Sequence, residues 1–396
     1  MKASTSIRLA ARMSRLGTES AFEVLQRARA LEAAGQSVIH LEIGEPDFPT
    51  PVNVQEAASK AIRDGYTHYV APQGMPPLRE TIAEYVGRTR GIAVHPDEVV
   101  VVPGGKPILY FVLTALLEEG DEVLYPDPGF PIYESVVRFL GARPVPVALR
   151  EENDFRMDVG DIEAALTPRT RLLILNSPQN PTGSVMTAAD MERLARLLAD
   201  RDIVVLSDEI YSRILFDCDH VSLASQPGMQ EKTVILDGFS KTYAMTGWRL
   251  GYGVMPRELA RAVAQLMVNS NSCTAAFVQM AGVEALRGDQ SPVEAMVAQF
   301  RRRRDLFVER VNRIPGFHCR LPRGAFYAFP SIKGTGFSSR ELQDRLLTEA
   351  GVAALSGTAF GAAGEGYLRF SVANSIENIG EALDRIDAWV RRNVSS

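Results

Sequence analysis

Two hydrophobic periods alternate along the first two thirds of the chain. Segments 54–64, 77–89, 108–118 and 187–200 carry apolar residues at helical spacing. Between them stand short apolar, β-branched runs at 98–102, 122–125, 171–175, 203–206 and 233–236. Such runs read as strands buried on both faces, which is how strands of parallel sheets read. The helices between them supply the crossovers. The pattern predicts one large α/β domain over residues 46–285, with a mainly parallel sheet flanked by helices.

The pattern then changes. Residues 293–313 read as one long helix carrying the run Arg301-Arg302-Arg303-Arg304, expected to be a solvated face or a subunit contact. A short strand at 325–329, a helix, a strand at 367–371 and a closing helix from Ile376 predict a smaller α+β domain over 286–396. Residues 1–45 are too few to fold alone and are expected to form an N-terminal arm and part of that smaller domain. Lys2, Arg8, Arg12 and Arg15 precede the first acid, Glu19. A transit peptide has that composition, but an arm or short amphipathic helix built on Ile7, Leu9 and Met13 requires less.

Composition narrows the class. Of 396 residues, 46% are hydrophobic and 23% charged, which excludes a disordered chain, a collagen-like repeat and a disulfide scaffold. The net charge of −5 leaves no basic field for nucleic acid or anionic lipid. Cys218, Cys273 and Cys319 are scattered and odd in number, as suits a reducing cytoplasm. No apolar stretch approaches the ~18 residues of a membrane span. Asn393-Val394-Ser395 fits a glycosylation pattern but has no secretory signal to give it meaning. Gly105-Lys106 lacks the other elements of a Walker loop, no dinucleotide fingerprint or nucleophile elbow is present, and the five histidines show no metal-ligand spacing. No metal is expected.

Candidate chemistry concentrates at the carboxyl ends of the predicted strands, where open parallel sheets bind ligands. After the first strand, Pro103-Gly104-Gly105-Lys106 offers backbone N–H groups at a helix N-terminus, suited to an anion, or forms an ordinary turn. Asn176-Ser177-Pro178-Gln179-Asn180-Pro181-Thr182-Gly183 is a proline-fixed loop holding a directed amide at Asn180. Asp208-Glu209-Ile210-Tyr211 ends a strand with an acid that serves a site or caps a helix. In 238–252, Lys241 is a candidate nucleophilic amine, provided that cations and burial lower its pKa.

Taken together, in order and spacing, these segments resemble the pyridoxal-phosphate aminotransferases of fold type I, class I/II. The likeness runs from about Arg15 to the C-terminus and is closest to the bacterial aspartate-aminotransferase-like branch. Ser240-Lys241, with Ala244-Met245 and Gly247-Trp248-Arg249, carries it most specifically. Gly44-Glu45-Pro46-Asp47-Phe48 adds to it. The resemblance implies that Lys241 carries pyridoxal phosphate as a Schiff base and shuttles the proton at Cα. It implies that Asp208 keeps the pyridine nitrogen protonated, that Tyr211 and Asn180 bond the ring oxygen, and that Phe130 stacks on the ring. It places the phosphate on Gly105 and Lys106 N–H groups, Ser240 and Arg249. Tyr69 would reach the phosphate of a neighbouring subunit, so a homodimer with shared sites is expected. Arg369, with Gly44 and Asn180, would grip the substrate α-carboxylate.

The implied activity is ping-pong transfer of an amino group from an L-amino acid to a 2-oxo acid, with glutamate/2-oxoglutarate as one pair. Side-chain preference stays open; no residue is assigned to a second carboxylate, with Lys106 and Arg12 either candidates for it or simply solvent-facing. A lyase or decarboxylase on the same fold is the alternative. An aminotransferase-like regulator is a remote one, because only ~45 residues precede Gly44-Glu45-Pro46-Asp47, too few for an added DNA-binding domain.

Overall fold

The computed structural model describes residues 7–394; Lys2 and Ser395 lie outside the described residues. A short strand β1 (Ile39–His40) precedes the main sheet, which contains β2 (Val99–Val102), β3 (Glu122–Asp127), β4 (Arg143–Ala148), β5 (Thr170–Asn176), β6 (Val204–Asp208), β7 (Thr233–Gly238) and β8 (Gly251–Val254). Their order is β2-β8-β7-β6-β5-β3-β4. The pairings of β3 with β4 and β5, β5 with β6, and β6 with β7 are parallel. Only β8 runs against its neighbours β2 and β7. The expected α/β class with a mainly parallel sheet is the one observed.

The apolar runs split by alternate residues between two faces. Val99 and Val101 join a cluster with Leu78, Ile82 and Val278. Val100 and Val102 face the opposite way, with Ile108, Val112 and Val137. Two strands escape the hydrophobic pattern. The edge strand β4 contains Pro144 and Pro146, which an edge tolerates because no inner neighbour needs their N–H groups. In β8, a Cβ at Gly251 would lie 2.6 Å from the Gly105 nitrogen, so close approach of two backbones requires glycine there.

Downstream come β9 (Tyr327–Ala328), β10 (Val352–Ala353), β11 (Leu355–Ser356) and β12 (Leu368–Ser371). β1 pairs in parallel with β10, and β9, β12 and β11 form an antiparallel sheet. The helix Ser20–Ala33 buries Val24 and Ala28 in one cluster with Leu347 and Leu355, so N-terminal residues pack on C-terminal ones. Ala11–Arg15 forms a single 3-10 turn with no buried residue. The helices Ser291–Val311 and Ile376–Asn393 share a core containing Phe300, Phe307, Phe370 and Trp389. Among the described residues, no helix is long and apolar enough to cross a membrane.

The arginine run departs from the solvated face expected of it. Arg301 and Arg302 are exposed, but Arg303 and Arg304 are buried. Arg303 grips Asp47 through two bonds, at 2.7 and 2.9 Å. Arg304 donates to the Pro322 carbonyl at 2.9 Å and pairs with Asp305 and Asp217. The run is longer than the outward stripe of a helix, so its last two members turn inward, bury their own side chains and pair with carboxylates that stay exposed.

Candidate active site

Strand register assembles the site. Val102 and Gly238 both pair with Gly251, which brings the loop after β2 beside the loop after β7. Asn176 pairs with Asp208, the last residue of β6. A cavity of about 480 Å³ opens over this edge, and all the candidate residues but Tyr69 and Arg12 border it. Tyr69 is 90% exposed. Arg12 does not border this cavity, and its guanidinium lies 5.8 Å from the Phe139 ring centre. Lys106 does border the cavity.

Lys241 donates to the Gly44 carbonyl at 2.7 Å. Its amine is pushed down to about 8, first by burial, with Glu45 opposing and Arg369, Lys106 and Arg249 adding to the fall. A half-buried amine near three cations thereby has a larger neutral, nucleophilic fraction near neutral pH than an ordinary lysine.

Asp208 is buried and accepts from the Tyr133 hydroxyl at 2.6 Å and the Ile210 N–H at 3.2 Å. Burial pushes its carboxyl up to about 6; the two hydrogen bonds oppose that rise, and Asp237 and Glu209 add to it. Behind it lies a charged cluster that sequence reasoning missed. Arg90 bonds Glu209 at 2.9 Å and Asp237 at 2.7 Å. His220 and Ser222 also bond Glu209, at 2.9 and 2.6 Å. Burial drives the Glu209 carboxyl upward, but His220 and Arg90 overcome it and hold it well below the usual range. Arg90→Leu leaves two buried carboxylates without their guanidinium and is expected to lower stability by about 3–5 kcal/mol, read from urea denaturation.

Arg369 is buried between the rings of Tyr327 and Phe360, 4.5 and 4.9 Å from their centres. It donates to Asn180 Oδ1 at 3.2 Å and to the Glu42 carbonyl. Its Nε has no partner among the described residues. Tyr211 and Tyr327 share a hydroxyl–hydroxyl bond of 2.8 Å. A Cβ at Gly44 would lie 2.2 Å from the Tyr327 hydroxyl, so this position needs glycine. Tyr133 and Tyr327 carried no local sequence signal, since their roles arise only when a helix and a β-strand meet the sheet edge.

The donor set fits a phosphorylated pyridine aldehyde. Gly104 sits at φ +84°, and a Cβ there would lie 2.1 Å from the Arg249 guanidinium. Glycine thus leaves Arg249 beside the N-terminus of the helix Lys106–Leu116, with Gly105 as its N-cap, a place that favours a phosphate. Asp208, with no cation bonded to it among the described residues, suits a ring nitrogen, and Lys241 suits an aldehyde.

The Aminotransferase class I and II family model matches residues 36–386. The aspartate aminotransferase of Pyrococcus abyssi is 43% identical over 91% of this chain and 93% of its own. The arginine–pyruvate transaminase of Pseudomonas aeruginosa is 40% identical over 93% of each. The solved aspartate aminotransferase of Rhizobium meliloti superposes with a TM-score of 0.95 at 38% identity, covering 98% of this chain and 100% of that one. Fold and site define a fold type I pyridoxal-phosphate enzyme. The chain belongs to the class I and II aminotransferases, in their aspartate-aminotransferase-like branch.

Protonation of Asp208 removes the charge that suits a protonated ring nitrogen. Cofactor affinity is therefore expected to fall as pH drops through about 6. Tyr133→Phe deletes a bond that favours the carboxylate, so the fall should begin at higher pH. Equilibrium dialysis of pyridoxal phosphate between pH 5 and 8 checks both.

Proposed function

We propose that the protein moves the amino group of an L-amino acid to a 2-oxo acid by a ping-pong reaction, with glutamate/2-oxoglutarate as one pair. The observation that carries this reading is the pairing, across one cavity, of the nucleophilic amine of Lys241 with the buried guanidinium of Arg369. Pyridoxal phosphate, when bound, supplies the electron sink for the carbanion at Cα. Lys241 holds it covalently and moves the proton at Cα. Asp208 holds the ring nitrogen protonated, Asn180 and Tyr211 bond the ring oxygen, and Phe130 packs on the ring. Gly105 and Lys106 N–H groups, Ser240 and Arg249 hold the phosphate.

Arg369 grips the α-carboxylate, with Asn180 and Gly44 beside it, and Lys106 is the cation within reach of a second carboxylate. Residues 46–285 form the cofactor domain; 286–396, with 1–45, close over the substrate and exclude water. Exposed Tyr69 reaches the phosphate held by the partner subunit of a homodimer. The three free cysteines support a cytoplasmic location.

Product analysis separates this reading from a lyase. With L-glutamate and pyruvate the expected products are 2-oxoglutarate and alanine in equal amounts. Ammonia release without alanine would reject it.

A further inference from the structure

Two side chains of opposite charge meet at the wall of the cavity. Glu19 forms an ion pair with Lys106, and both border the cavity with Phe22. Their side chains are 19% and 49% exposed, and the Lys106 ammonium also sits 5.4 Å from the Phe130 ring centre.

Neither residue serves its own helix by this arrangement. Glu19 is the N-cap of Ser20–Ala33 but makes no side-chain cap bond, although an N-cap side chain ordinarily accepts from the first turn. Lys106 opens the helix Lys106–Leu116, where a cation is disfavoured by the helix dipole. The Gly17 N–H bonds Ser135 Oγ at 2.8 Å, which anchors the segment leading to Glu19 against the helix Ile132–Leu140. Arg369 and Tyr327, on the carboxylate-gripping side, border the same cavity as Glu19. A carboxylate of the protein thus already occupies the cation that a second substrate carboxylate would need.

Resting on the aminotransferase reading above, we propose that Glu19 is a specificity-determining residue, an internal carboxylate that competes with the side-chain carboxylate of dicarboxylic substrates for Lys106. A substrate with an uncharged side chain leaves the Glu19–Lys106 pair intact and meets a neutral wall. A dicarboxylic substrate must break the pair and turn Glu19 out to water. The ratio of acidic to neutral substrates accepted is then set by the strength of this one contact.

The test is calorimetric titration of the cofactor-loaded enzyme with succinate and, separately, with butyrate, so that no turnover is needed. In Glu19→Gln the succinate affinity should rise about fivefold relative to the butyrate affinity, the value of a partly exposed ion pair. The gain should vanish in Glu19→Gln combined with Lys106→Gln, which keeps the backbone N–H at position 106. An equal gain for both ligands would overturn the proposal, because Glu19 would then act only as a general field on Arg369. An unchanged ratio would overturn it as well. Failure of the aminotransferase reading looks different: wild-type protein would bind both acids yet transfer no amino group from any amino acid.

Discussion

Lys241→Met is expected to lower kcat by about 10⁴-fold, the upper range for a positioned proton-transfer group, and at the same time to stabilise the cofactor-free protein. The two effects share one cause. Burial holds the Lys241 amine at about 8, against the 10.5 usual for lysine, so the folded protein binds fewer protons than the unfolded chain between those values. Stability of the cofactor-free protein therefore rises with pH across that window. Below pH 8 the buried ammonium is a liability of about 3 kcal/mol, and methionine, similar in length and uncharged, removes it. A residue kept for packing would lose stability on substitution. A residue kept for chemistry loses activity and gains stability. Single-turnover kinetics and urea denaturation of the cofactor-free protein at pH 7 measure the two effects.

The second large effect is expected at Arg369. Arg369→Ala should lower kcat/KM by about 10³-fold, in line with loss of a buried charged grip on a carboxylate, with the yellow cofactor retained. The geometry argues for a binding role over a structural one. The guanidinium lies between two aromatic faces and, among the described residues, keeps Nε without a partner and bonds an amide oxygen and a backbone carbonyl. Among the described residues no carboxylate hydrogen-bonds it, which suits a ligand carboxylate. Arg369→Lys should recover little, because an ammonium cannot reproduce a planar, two-pronged grip. Wild-type kcat/KM in Arg369→Ala for every amino acid would reject the assignment.

The parallel strands and the loops at their carboxyl ends were legible because both carry local signals. Continuous Val, Leu and Ile runs announce strands buried on two faces, and the segments at 176–183, 208–211 and 240–249 follow directly after them. Other features depend on residues distant in sequence. β4 was hidden by Pro144 and Pro146, and β8 by its glycines, whose meaning appears only when Gly251 packs on Gly105. Arg303 and Arg304 read as solvated charge until Asp47 and Asp217 come beside them. Tyr133 gives no sign in the sequence that its hydroxyl reaches Asp208, 75 residues away. The cluster of Arg90, Glu209 and Asp237 is likewise gathered from a helix, the residue just past β6, and β7 by the fold alone.

The most direct measurement is the visible spectrum of the cofactor-loaded protein before and after excess L-glutamate, with no oxo acid present. Half of a ping-pong transfer should remove the yellow absorption, and 2-oxoglutarate alone should restore it. A yellow band that persists with glutamate and with every other L-amino acid would contradict amino-group transfer at this site, as would bleaching that releases ammonia and is not reversed by any 2-oxo acid.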